Sequence, residues 1–146
     1  MITGNRWKHI LGVARTAKLL ALKFRPDDEK YAQDMFLLGM LHDFGYEFSP
    51  DGKNHAAVGG EILRRSGYEY WEEVALHGKE TAGRMSDELF ILNCADMTTS
   101  PDGERMTMTE RVEEIAGRYG INSAAHKKSI AQAEKLRSDA RYAILF

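Results

Sequence analysis

Four histidines and two aspartates carry the chemistry of this sequence: His9, the doublet His42-Asp43, His55, His77 and Asp96. Imidazole and carboxylate exchange protons and ligate borderline metal ions. One histidine on an apolar helix face is usually structural, and an isolated His-Asp dipeptide arises often by chance. The six taken together read differently. Several imidazoles and carboxylates in one core are costly to bury unpaired, whereas a metal ion makes neutral imidazole and ionised carboxylate the favoured states. An all-nitrogen-and-oxygen set suits Fe, Mn, Co, Ni or Zn and disfavours both soft Cu(I) and a calcium cage built of oxygens.

The elements that must gather these residues are helices. Between the three prolines, Pro26, Pro50 and Pro101, apolar residues recur with helical rather than alternating period, which predicts an all-α fold. A first helix over 7–24 has the stripe Val13, Ala17, Leu20 and Phe24, with His9 four residues before Val13. A second starts at the Asp27-Asp28 cap and ends at the turn Phe44-Gly45, which puts His42-Asp43 in its last turn. The stretch Ser49-Pro50-Asp51-Gly52 is turn chemistry, and Asn54 is expected to cap a third helix over 55–65 that opens on His55. A short fourth helix from about Tyr70 ends at His77-Gly78, and a fifth, capped by Ser86, has Asp96 at its end. Thr107 and Glu110 have capping-box spacing for a sixth helix ending at Gly120. A final helix from about Ser123 runs into the apolar tail Ala143-Ile144-Leu145-Phe146, which is expected to pack on the chain's own core, with a homodimer contact as the alternative. The reading is a bundle of six or seven helices forming one domain over 1–146, with its motif core over 9–96 and C-terminal helices over 107–146.

Composition bounds the partners. With 146 residues, 43% hydrophobic and 29% charged, the chain is an ordinary globular protein. Its net charge of −2 provides no global field for a nucleic acid polymer or an anionic membrane, so any anionic ligand must be caught locally. One cysteine, Cys94, excludes an intramolecular disulfide and a cysteine-based zinc cluster. The N-terminus lacks the apolar core of a signal peptide, and no uncharged apolar run reaches membrane-spanning length, so a cytoplasmic protein is expected.

The segments His9-Ile10-Leu11, Leu41-His42-Asp43-Phe44-Gly45, Asn54-His55-Ala56-Ala57-Val58-Gly59 and Cys94-Ala95-Asp96 stand in the order in which the sequence resembles the HD-domain metal-dependent phosphohydrolase superfamily. The resemblance spans roughly His9 to Asp96, with helical context to about Tyr119. With two histidines between the doublet and the last aspartate, the pattern is similar to that of dinuclear members. The His55-x-x-Val58-Gly59 segment is similar to bacterial diadenosine tetraphosphate hydrolases. The resemblance implies one metal on His9, His42, Asp43 and Asp96 and a second on Asp43, His55 and His77, with Asp43 bridging and Fe or Mn favoured over Zn, Co or Ni. Two divalent ions against two carboxylates leave a surplus of positive charge that attracts phosphate and acidifies water. The implied reaction is hydrolysis of a phosphate ester or anhydride, on a nucleotide or other small phosphorylated metabolite, by a hydroxide between the metals. The same six-ligand pattern occurs in mixed-valence diiron oxygenases, and a metal-stabilised nucleotide-binding domain without turnover is the third reading.

Lys79, two residues after His77, is the leading candidate for a substrate-contacting catalytic cation, followed by Arg84 and then Lys53 and Arg105. Many catalytic relatives have Lys three residues after the doublet's aspartate, and this chain has Tyr46, either a wall residue or a hydroxyl donor to substrate. His126 reads as a polar-face residue, Cys94 as a buried hydrophobe, Thr98 and Thr99 as helix-end caps, and Gly59-Gly60 as a close helix contact.

Overall fold

Thr3 opens α1 (Gly4–Phe24), its hydroxyl accepting from the Arg6 backbone N–H, and the stripe Val13, Ala17 and Leu20 is buried. In this computed structural model, which describes residues 2–49 and 51–146, α1 packs on α2 (Glu29–Leu41) and α5 (Asp87–Met97). Pro50, in the expected turn over 49–52, lies outside the described residues. Helix α5 is buried on every side from Leu89 to Ala95, as a core helix must be when it is apolar all round. Its N-cap is Ser86, as the sequence predicts, accepting from the Leu89 N–H.

Helices α3 (His55–Arg65) and α4 (Trp71–Leu76) form a pair beside this core. Gly60 makes the pairing close: a Cβ there would lie 2.5 Å from Ala75 Cβ. Helices α6 (Met108–Tyr119) and α7 (Ala124–Ser138) pack against each other, and the Thr107–Glu110 capping box is complete in both directions. Asn54 precedes α3 in the left-handed region, φ 58°, and makes no side-chain cap bond, so it turns the chain into α3 rather than capping it.

The expected last helix is broken. Asp139 adopts extended backbone and accepts from the Arg141 backbone N–H and guanidinium. The buried Arg141 also pairs with Asp87 of α5 at 2.8 Å. That network turns the chain into a separate α8 (Tyr142–Leu145), giving eight α-helices and a 3-10 turn over Phe44–Glu47 among the described residues. There is no β-strand among them, only an isolated bridge between Thr99 and Arg105, and the fold is all-α. Leu145 is fully buried, whereas Ile144 and Phe146 are about half exposed. No helix of the described residues is long and apolar enough to cross a membrane.

Helix α4 is under an electrostatic load. Burial first, then the carboxylates of Glu88 and Glu72, push the Glu73 carboxyl up to about 7. A carboxyl raised in the folded state favours folding below its unfolded value and loses that contribution as the pH rises through about 7. Glu73→Gln is therefore expected to raise Tm by roughly 3 °C at pH 8, with solvent screening of the half-buried group allowed for, and to leave it unchanged at pH 4. Thermal denaturation followed by circular dichroism at the two pH values checks this.

Candidate metal centre

The six residues arrive from separate elements: His9 from α1, His42 from the end of α2, Asp43 from the start of the 3-10 turn, His55 from the first position of α3, His77 from the end of α4 and Asp96 from the last turn of α5. Two close backbone contacts hold these elements. A Cβ on Gly12 would overlap the Gly103 backbone, which keeps α1 tight against the loop after α5, and a Cβ on Gly45 would overlap the His55 carbonyl.

Each of the four imidazoles is tied at Nδ1 to a backbone carbonyl. His9 pairs with Ser100 at 3.0 Å, His42 with Gly39 at 2.6 Å, His55 with Gly52 at 3.2 Å and His77 with Val74 at 2.6 Å. Nδ1 donates its proton to the carbonyl, and in the neutral ring Nε2 presents its lone pair to the centre, so the backbone fixes the orientation a ligating histidine needs. The Nε2 atoms converge on the carboxylates. Asp43 Oδ1 lies 3.3 Å from both His55 and His77, while Asp43 Oδ2 lies 3.3 Å from His42 and 3.9 Å from His9. Asp96 Oδ1 lies 3.0 Å from His9 and 3.8 Å from His42. Asp43 thus turns one oxygen to each pair of imidazoles.

His42 is fully buried, and its Nε2 has no hydrogen-bond partner despite the carboxylates nearby. A buried lone pair facing carboxylates is the condition that a cation between them relieves. The donors of His9, His42 and Asp96, and those of His42, Asp43 and His77, each lie within 4.8 Å of one another, so either set can hold a metal ion. The electrostatics agree. Burial opposes charging His42, but the Asp43 carboxylate beside it and Asp96 beyond push its pKa up to about 9. Burial likewise opposes ionising Asp43 and Asp96, yet the surrounding imidazoles hold both well below the usual carboxylate range. The centre demands positive charge, and without a metal ion His42 would take it up as a proton.

A family model for the HD domain matches residues 6–116. The chain belongs to the HD domain family. HD domains are generally metal-dependent phosphohydrolases, and they bind divalent metals. No curated protein and no solved structure matches the chain.

The centre of this HD domain opens into a cavity of about 430 Å³, a size that suits a small-molecule ligand. Lys79 and Tyr46 line it. Arg84 does not: it is 3.5 Å from Asp87 in the first turn of α5, which draws it away, and its side chain is 72% exposed. Lys53 and Arg105 also fall outside the lining. Tyr46 stacks on His55 with ring centroids 4.1 Å apart, so it is at least a wall that fixes this imidazole. Burial first, then the Asp43 charge, raises its phenol pKa, which keeps the hydroxyl protonated and able to donate. Lys79 and Lys128 stand where the cavity meets a second one of about 260 Å³.

Sequence reasoning missed Arg6. Its guanidinium lies 3.0 Å from Asp43 Oδ2 and 4.0 Å from the Tyr46 ring centre. The signal was available, because Arg6 precedes His9 by three residues and so shares its helix face. It also missed Arg111, Arg118 and Lys128, which line the cavity from α6 and α7. Their helical spacing is legible, but which cavity α6 and α7 cover is not.

The remaining residues behave structurally. His126 accepts from the Asn122 N–H at the start of α7, away from the centre, and Cys94 is fully buried in α5. Thr98 and Thr99 donate to the Cys94 and Ala95 carbonyls, both at 2.7 Å, and so close the end of α5.

Proposed function

We propose that this HD domain hydrolyses a phosphate ester or anhydride of a nucleotide or other small phosphorylated metabolite. The observation that carries the reading is the pairing of the two-sided Asp43 centre with a cavity in which five cations face two carboxylates, in a chain whose net charge is −2. In this reading His9, His42, Asp43 and Asp96 hold one ion and Asp43, His55 and His77 a second, with Fe or Mn the favoured metals. Divalent ions so held would polarise a phosphoryl oxygen and lower the pKa of water.

The chain's own side chains do the rest. The carbonyl-tied imidazoles keep their Nε2 atoms aimed at the centre. Lys79 and Arg6, both on the cavity wall, balance charge on the phosphoryl oxygens, and the Tyr46 hydroxyl donates a hydrogen bond where many relatives place a lysine. The His55-Ala56-Ala57-Val58-Gly59 segment, similar to that of diadenosine tetraphosphate hydrolases, adds dinucleoside polyphosphates to the substrates to be tried.

Hydrolysis is the test, read as released phosphate or, for diadenosine tetraphosphate, as product nucleotides separated by chromatography. The purified protein, supplied with Mn(II) or Fe(II), is incubated with nucleoside mono-, di- and triphosphates, diadenosine tetraphosphate and sugar phosphates. Turnover of at least one, lost on chelation, is the expected result. Silence across the panel overturns the reading; oxygen consumption with an organic substrate would replace it with a diiron oxygenase, and nucleotide binding without release with a regulatory domain.

A further inference from the structure

The wall of the cavity supplied by α6 and α7 has a composition of its own. Arg111 and Arg118 share one carboxylate: Glu114 lies 2.7 Å from Arg111 and 2.9 Å from Arg118. One carboxylate between two guanidiniums orients both and leaves a net positive charge. Lys128 adds another from α7. Two N–H donors on this wall are buried without an acceptor, Arg111 Nε and Gln132 Nε2. The Arg111 side chain is only 11% exposed, so water has little access to it. A buried donor without an acceptor is costly, and two on one charged wall call for a ligand that is anionic and rich in acceptors.

We propose that the α6–α7 wall is a second anion subsite, and that the natural substrate has, besides the phosphoryl group at the metal centre, a second anionic group bound by Arg111, Arg118 and Lys128. This rests on the proposed function for what occupies the metal end of the cavity. Phosphoryl and carboxylate groups share the chemistry that the wall recognises: both are acceptor-only anions that guanidinium binds in a fixed geometry. Arg111 lies within the residues 6–116 that match the HD family model, whereas Arg118 and Lys128 lie beyond them.

Non-hydrolysable ligands separate the two ends. Isothermal titration of the Mn(II)-loaded full chain would use methylphosphonate, propane-1,3-diphosphonate and 3-phosphonopropionate. The diphosphonate is expected to bind at least about tenfold more tightly than methylphosphonate. An equal gain from 3-phosphonopropionate supports a carboxylate as the second group, and a gain from the diphosphonate alone supports a phosphoryl. In the double variant Arg118→Gln/Lys128→Gln the advantage is expected to fall below about threefold. Lys127→Gln removes one positive charge from a neighbouring position outside the cavity lining and should retain the advantage. All three positions are exposed, so none of these changes disturbs a core. Methylphosphonate binding with no diphosphonate advantage, or an advantage that the double variant retains, overturns the subsite and leaves the proposed hydrolase standing. Failure of all three ligands to bind overturns both.

Discussion

Asp43→Asn is expected to empty the metal centre and to lower phosphate release by about a thousandfold or more, equivalent to about 4 kcal/mol in the barrier. The change preserves size and removes charge. Asp43 Oδ1 faces His55 and His77, both at 3.3 Å, while Oδ2 faces His42 at 3.3 Å and Arg6 at 3.0 Å. An amide offers one acceptor and one NH₂ group, so one of these two sides would meet a donor in place of a negative oxygen. Either side loses the charge that makes cation binding favourable. The remaining carboxylate, Asp96, reaches His9 and His42 but is not within ion-pair distance of His55 or His77. Elemental analysis of the purified variant, a phosphate-release assay and a circular dichroism spectrum confirming its helices check the expectation together. A folded variant with a full complement of metal would refute the central role given to Asp43.

Gly45→Ala is expected to destabilise the protein by about 3 kcal/mol or more and to lower Tm by roughly 10 °C. A Cβ at this position would overlap the His55 carbonyl oxygen and lie 2.8 Å from the Gly59 backbone nitrogen. These neighbours are backbone, so no side-chain rotation can make room. Relief requires the 3-10 turn to move away from the start of α3. That movement would separate Asp43 and Tyr46, on the turn and just before it, from His55, so metal binding should weaken along with stability. Urea denaturation and metal titration measure the two effects. A variant of unchanged stability would show that the turn and α3 are not pressed together as described.

Much of this protein is legible residue by residue. Asp28, Ser86 and Thr107 each cap the helix that the sequence predicts, because capping is a local contest between a side-chain oxygen and water for one backbone N–H. The doublet, the outlying histidines and Asp96 are legible for a related reason: imidazoles and carboxylates at buried positions and helix ends need compensation, and the need can be read before the geometry is known. The break before α8 was not legible, since it depends on Arg141, held by Asp139 two residues away, reaching Asp87, more than fifty positions away. Arg84 was misplaced for a local reason, because Asp87, three residues on, competes for it.

The amino-acid order alone determined an all-helical chain, the boundaries of most helices and six side chains suited to inorganic cations, since periodicity, caps and burial costs act over a few residues. That Ser100 orients His9, which oxygen of Asp43 faces which pair, and the closing of α6 and α7 over the cavity with Arg111, Arg118 and Lys128 were decided only in three dimensions. Those relations join separate elements of the chain, and they are set by how helices and loops pack on one another, at Gly12 and Gly45 by direct backbone contact, to which no local preference responds.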